Sequence, residues 1–185
     1  MTNTRTTLIT VGHGRLDKDQ LAALLHDAGV ETLVDIRRFP GSRHNPDVHG
    51  DAMAQWLPLA DIEYRAESRL GGRRRLPADA PHEDPWWKVE QFAAYAAHTR
   101  TAEFAEALTE VLQLARQRPT AVMCSESVWW RCHRRLVADV TVLARGCSAS
   151  HLMHDGRQTP HPPAPGARLR PDGEVVWDRS RDRPA

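Results

Sequence analysis

A chain of 185 residues with 41% hydrophobic residues suffices for one domain with a sizeable core, and leaves no need for a multidomain reading. Its 25 basic and 24 acidic residues nearly cancel to a formal charge of +1, so bulk charge selects no partner. Three cysteines exclude a secreted disulfide framework, and neither a leader pattern nor an apolar run near the roughly 20 residues of a membrane helix occurs, so a soluble, cytoplasmic protein without membrane contact is expected.

In chain order, Thr7–Val11 is short and β-branched and runs straight into Gly12-His13-Gly14, which predicts a buried strand ending in a tight turn. Leu16, Leu21, Leu24, Leu25 and Ala28 fall near helical spacing, with Asp17 before the run and Gly29 after it. Thr32–Ile36 reads as a second buried strand, so the unit is strand–helix–strand and favours a parallel pair. Residues 38–50 form a loop, 51–59 a short helix and Ile62–Arg65 a short third strand. Leu70–Pro85 is a long Gly-, Pro- and charge-rich loop, a length usually tied to function or disorder.

Trp87–His98 reads as a helix, and Thr101–Arg116 as a clearer one with Phe104, Ala107, Leu108, Val111, Leu112 and Ala115 on one stripe. Thr120–Met123 is a buried strand that delivers Cys124, and Cys132–Arg145 is a helix stopped by Gly146. Ser148–Met153 suggests a further strand. Five prolines between Pro160 and Pro171 precede a hairpin around Asp172-Gly173, and the polar end from Asp178 is expected to fray. The expected architecture is a single α/β domain with a largely parallel sheet flanked by helices. Residues 1–155 form its core, and 156–185 a Pro-rich C-terminal extension with a hairpin packed on it.

Ligands in open parallel sheets gather beyond the carboxyl ends of the strands. Three strand ends put polar residues there: His13 between its glycines, Asp35 with Arg37 and Arg38, and Cys124 with Ser125 and Glu126. Cys124 leads through a loop to a helix start beside Arg131 and Arg134, where a thiol becomes more acidic and nucleophilic. Glu126 and His133 are candidate proton carriers, and Asp35 a candidate orienter of His13. The bland alternatives are an inert buried cysteine, carboxylates paired with arginines and a structural histidine. Arg37 and Arg38 can clamp an anion by paired hydrogen bonds, and Gly71-Gly72 allows close backbone approach.

Arg65, Arg69 and Arg73–Arg75 cluster against Glu67, which suits an anion, although solvated surface is the commoner fate of such a run. Trp86-Trp87 and Trp129-Trp130 can stack on a base, or line a core. Cys124, Cys132, His133 and His13 are all ligand types for Zn or Fe, but the spacing Cys-x7-Cys-His lacks the close pairing of structural zinc sites. His151, His154 and His161 form a loose cluster expected at the surface. Phosphate-binding, dinucleotide-binding and nucleophile-elbow motifs are missing.

Gly12-His13-Gly14, Val34-Asp35-Ile36-Arg37 with Pro40 and Ser42, Leu70-Gly71-Gly72, and Met123–Glu126 leading to Cys132-His133-Arg134 together resemble the bacterial family catalogued as domain of unknown function 488, over about Thr7 to His151. The family usually carries Ser where Gly14 stands, and a small, Pro-containing stretch where Trp129-Trp130 stands. The resemblance implies a compact α/β fold with a polar site of His13, Asp35, Arg37, Cys124, Glu126, Cys132, His133 and Arg134. It implies no reaction; a DNA-repair association has been attached to members. The Asp-x-Arg strand end and the Cys-loop-Arg-helix layout are also similar to rhodanese sulfurtransferases in architecture alone. Three expectations follow. The first is an enzyme acting on an anionic, phosphate- or nucleotide-like small molecule, with Arg37, Arg38, Gly71, Gly72, Arg73, Trp129, Trp130, Arg131 and Arg134 as its binding residues. The second is a nucleic-acid-binding module, and the third a metal-dependent enzyme.

Overall fold

The computed structural model describes residues 6–179. A six-stranded sheet holds strands β1 (Thr7–Gly12), β2 (Thr32–Asp35), β3 (Glu63–Ala66), β4 (Thr120–Cys124), β5 (Ser148–Leu152) and β6 (Gln158–Pro160) in the order β3-β2-β4-β1-β5-β6. The first five run parallel, and β6 closes the edge antiparallel to β5. The described residues thus form a single α/β domain with a mostly parallel sheet and five helices. β1 and β2 are parallel but not neighbours, because β4 inserts between them.

Helices α1 (Lys18–Asp27) and α2 (Gly50–Leu59) cover one face; α4 (Ala102–Gln117) and α5 (Arg134–Leu143) cover the other. Strand parity sorts the two cores. Ile9, Val11, Ala121 and Met123 pack with Leu21, Leu25 and Met53, whereas Leu8, Val122 and Cys124 pack with Phe104, Leu108 and Leu136. α1 begins where the Asp17 carboxylate accepts from the Gln20 N–H at 2.8 Å, and it ends at Gly29, whose φ of 68° belongs to the left-handed region.

α3 (Glu90–His98) starts later than the sequence suggests, because the Trp87 N–H turns back to the Asp84 carbonyl. α5 likewise starts at Arg134, after a single turn at Trp129–Arg131. The hairpin of β7 (Ala167–Leu169) and β8 (Val175–Trp177) forms a separate two-stranded sheet. Trp177 is fully buried against Trp87, with ring centroids 6.2 Å apart. Gly166 is required here, since a Cβ would fall 2.1 Å from the Trp86 ring. Among the described residues no helix is long and apolar enough to cross a membrane.

Candidate active site

The register of β1 on β4 pairs Thr10 with Val122 and Gly12 with Cys124. Thr10 and Cys124 therefore both face α5, whose first residue, Arg134, is 1% exposed beneath them. The Arg134 Nε donates to Cys124 Sγ at 3.0 Å, its Nη1 to Thr10 Oγ1 at 3.3 Å, and its Nη2 to the Glu126 carbonyl. Gly12 makes this crossing possible: a Cβ there would fall 1.8 Å from the Glu126 carbonyl oxygen.

Cys132 Sγ lies 2.8 Å from Cys124 Sγ. It also accepts from the Arg134 backbone N–H at 3.5 Å, and His133 Nδ1 stands 3.5 Å away. Burial pushes both thiols up. At Cys132 this is outweighed by the hydrogen bond from Cys124 and by the neighbouring His133 and Arg134, which bring it well below the usual thiol range. Cys124, buried and donating to Cys132, is held well above that range. Cys132 is thus the more acidic of the two sulfurs and Cys124 the less. Burial also opposes the Arg134 charge, but the two sulfurs hold the guanidinium protonated.

The pair forms the floor of a cavity of about 230 Å³, with His133 and Tyr95 as walls and Arg38, Arg73 and Arg131 at the mouth. Glu126 and Ser125 line the rim with exposed side chains. His133 packs 5.0 Å from the Tyr95 ring, and its Nε2 is buried without a hydrogen-bond partner. Gly72 lies against it, where a Cβ would come within 2.9 Å of His133 Nδ1; a Cβ on Gly71 would instead meet the Arg38 backbone at 2.7 Å. Arg73, Arg75 and Arg131 form no ion pair among the described residues, and Arg38 only donates to the Arg73 carbonyl and lies over Phe39.

His13 and Asp35 stand behind this cavity rather than on its wall. Asp35 binds Arg37 through two bonds of 2.8 and 2.6 Å and accepts from the Tyr64 hydroxyl at 2.9 Å. His13 Nδ1 donates to the Gly14 carbonyl and its Nε2 faces Arg37 Nη1 at 3.2 Å, so Arg37, not Asp35, is its polar neighbour. Burial and the adjacent Arg37 lower the His13 pKa to about 4, leaving a neutral imidazole. Arg37 alone of this group reaches the cavity.

Of the three histidines expected at the surface, His154 is exposed, but His151 and His161 are buried, and they continue the Arg134 network inward. Thr10 accepts from Arg134, so its hydroxyl donates to His151 Nδ1 at 2.6 Å. His151 Nε2 then donates to His161 Nδ1 at 2.9 Å, and His161 Nε2 to Asp139 Oδ1 at 2.7 Å. Asp139 also accepts from Trp177 Nε1 and the Ala164 N–H. Burial and the neighbouring His161 lower the His151 pKa to about 3. Trp129 stacks on His151 at 4.0 Å with the rings parallel, so it braces this chain instead of the cavity, while Trp130 is exposed. Thr10 and Asp139 escaped the sequence reading, which placed His151 and His161 at the surface; strand alternation from Cys124 and the mid-strand position of His151 were the available signals.

The other candidates divide clearly. Arg65 pairs with Glu63, Arg69 with Glu67 and Glu110, and Arg74 with Glu103 and with carbonyls, so these three arginines brace structure. Trp86 and Trp87 pack under Arg135 against the C-terminal hairpin. Among the described residues no group of three or more His, Cys, Asp or Glu side chains is placed to hold a metal ion.

A parallel sheet with a thiol pair, a buried guanidinium and an imidazole at its carboxyl edge defines a cysteine-centred α/β domain. The family model described as Domain of unknown function DUF488 matches residues 17–141, and the chain belongs to that family. No curated protein and no solved structure matches it.

Proposed function

We propose that this protein is an enzyme that uses the Cys132 thiolate on an anionic substrate. The observation that carries this reading is the thiol pair, 2.8 Å apart against buried Arg134, at the floor of a cavity whose mouth bears Arg38, Arg73 and Arg131. Cys132 is the nucleophile, since it lies two residues before α5 and its Sγ accepts from the first backbone N–H of that helix, where an anion is favoured. Cys124 donates to it, and Arg134 holds the charge of both sulfurs. His133, with an unpartnered Nε2 beside the cavity, carries a proton to or from the reacting group. The three mouth arginines bind a phosphate or carboxylate of the substrate.

The test is alkylation by iodoacetamide of a Cys147→Ala protein. Cys132 is expected to react at pH 7 at least about tenfold faster than an unperturbed thiol, which is mostly protonated there. A rate no higher than that of a free thiol overturns the proposal, and Cys132→Ser must abolish the fast phase. A second reading has one observation in its favour. A second groove of about 1020 Å³ shares Arg38, Phe39 and Arg73 with the cavity and adds Arg75, while Phe39 is 61% exposed. A nucleic-acid strand laid there would stack on Phe39, and binding would weaken steeply with salt. An Arg73→Ala, Arg75→Ala protein retaining the same salt-dependent affinity removes that reading.

A further inference from the structure

We propose that Cys132 and Cys124 are a two-electron dithiol–disulfide couple that reduces a disulfide carrying carboxylate groups, bound at the arginine mouth. The inference rests on the reading of Cys132 as the nucleophile and names its reaction class. The two sulfurs come from different segments, the end of β4 and the residue two before α5, yet their side chains already meet at 2.8 Å. A covalent bond needs about 2.0 Å, so closure takes less than an ångström of approach, within the reach of side-chain rotation. No third thiol competes in the contact, because Cys147 is buried at the start of β5 and turns to the Arg145 carbonyl.

The steps balance. The Cys132 thiolate attacks one sulfur of the bound disulfide, forms a mixed disulfide and expels a thiolate. Cys124 releases its proton to solvent, and its sulfur attacks Cys132 Sγ, forming the Cys124–Cys132 bond and expelling the second thiolate. The protein dithiol is oxidised by two electrons, the substrate disulfide is reduced to two thiolates, and an external dithiol restores the enzyme. Resolution is fast because the attacking sulfur is in van der Waals contact with the sulfur it must reach. Arg134, 1% exposed against the sulfurs, favours the reduced form, so the couple reduces only a disulfide more oxidising than itself, such as an aromatic one that departs as stabilised thiolates.

The substrate class follows from the walls. Arg38, Arg73 and Arg131 offer guanidinium groups without ion-pair partners among the described residues, and Phe39, Phe92 and Tyr95 supply aromatic surface beside them. An aromatic disulfide with carboxylates matches both. The probe is therefore 5,5′-dithiobis(2-nitrobenzoate), used on the full chain carrying Cys147→Ala. The expected result is rapid release of two nitrothiobenzoates per protein, no retained adduct, a Cys124–Cys132 cross-linked peptide by mass spectrometry, and full recovery with dithiothreitol. With Cys124→Ser, one release and a stable adduct on Cys132 are expected. A single release with a stable adduct in the protein that keeps Cys124 overturns the couple and leaves the nucleophile standing. No fast release at all overturns both.

Discussion

Replacing Arg134 by methionine removes a buried guanidinium and keeps a side chain of similar length. Its Nε lies 3.0 Å from Cys124 Sγ. Cys124 passes that contact on to the Cys132 thiolate through the 2.8 Å sulfur–sulfur hydrogen bond, and one adjacent cation typically changes the acidity of a neighbouring acid by about ten- to a thousandfold. The alkylation rate of Cys132 at pH 7 is therefore expected to fall at least about tenfold, with the midpoint of its pH profile moved upward. The change also removes the guanidinium's bonds to Thr10 Oγ1, which keeps His151, and to the part-buried Glu126 carbonyl, at about 0.5–1.5 kcal/mol for each. Thr10→Val provides the milder companion: it removes the hydroxyl's bonds to Arg134 and His151, leaves the cation in place, and is expected to cost about 1–3 kcal/mol with little change in the pH profile. The assay is iodoacetamide alkylation across pH, beside urea unfolding of both variants. A folded Arg134→Met protein with the parent's alkylation profile would refute the view that this guanidinium sustains the thiolate.

Gly72→Ala places a Cβ within 2.9 Å of His133 Nδ1, so the imidazole must shift. A severalfold slower alkylation with a nearly unchanged melting temperature is expected, and an unchanged rate counts against the role of His133. Asp139→Asn puts an amide where three donors converge, and should cost about 3–5 kcal/mol in urea unfolding; a loss below about 1 kcal/mol would show that the carboxylate holds little. The lowered pKa values of His13, about 4, and His151, about 3, make acid unfolding directional. Below the ordinary value of 6.5 the unfolded chain binds protons that the folded one refuses until each folded pKa is reached. Stability thus falls as pH drops, by up to about 1.4 kcal/mol per pH unit for each histidine. His151→Gln should flatten the slope between about pH 4 and 6; an identical slope would sink this assignment.

Much of the fold was readable because its strands are short, apolar and bounded by glycine, proline or an acidic cap. Asp17 and Gly29 mark both ends of α1, and Thr101 opens α4, where its side chain accepts from the Phe104 N–H. Strand neighbours were not readable, since no local signal tells β1 to pair with β4 instead of β2. At the site, Cys124, Cys132, His133 and Arg134 lie within eleven residues of sequence and were found together. The buried histidines were missed for the opposite reason. His151 becomes interior only when β6 and Trp129 cover it, and its partners Thr10 and Asp139 belong to distant elements. In the arginine block the pairing partners were not legible: carboxylates as far off as Glu103 and Glu110 claim Arg74 and Arg69, and only the tertiary structure brings them near.

The position of β1 in the sheet also bears on how the polypeptide is made. Of the strands of this sheet, β1 is made first and has its two neighbours at residues 120–124 and 148–152, so it waits unpaired until more than a hundred further residues are made. A nascent chain halted before residue 120 can form the β2–β3 ladder but leaves the central strand with bare edges and no thiol to deliver. Such long-separation pairing slows folding and prolongs exposure to chaperones and to sticky encounters with other chains. Arrest or truncation in that interval should therefore yield aggregates rather than a smaller working domain.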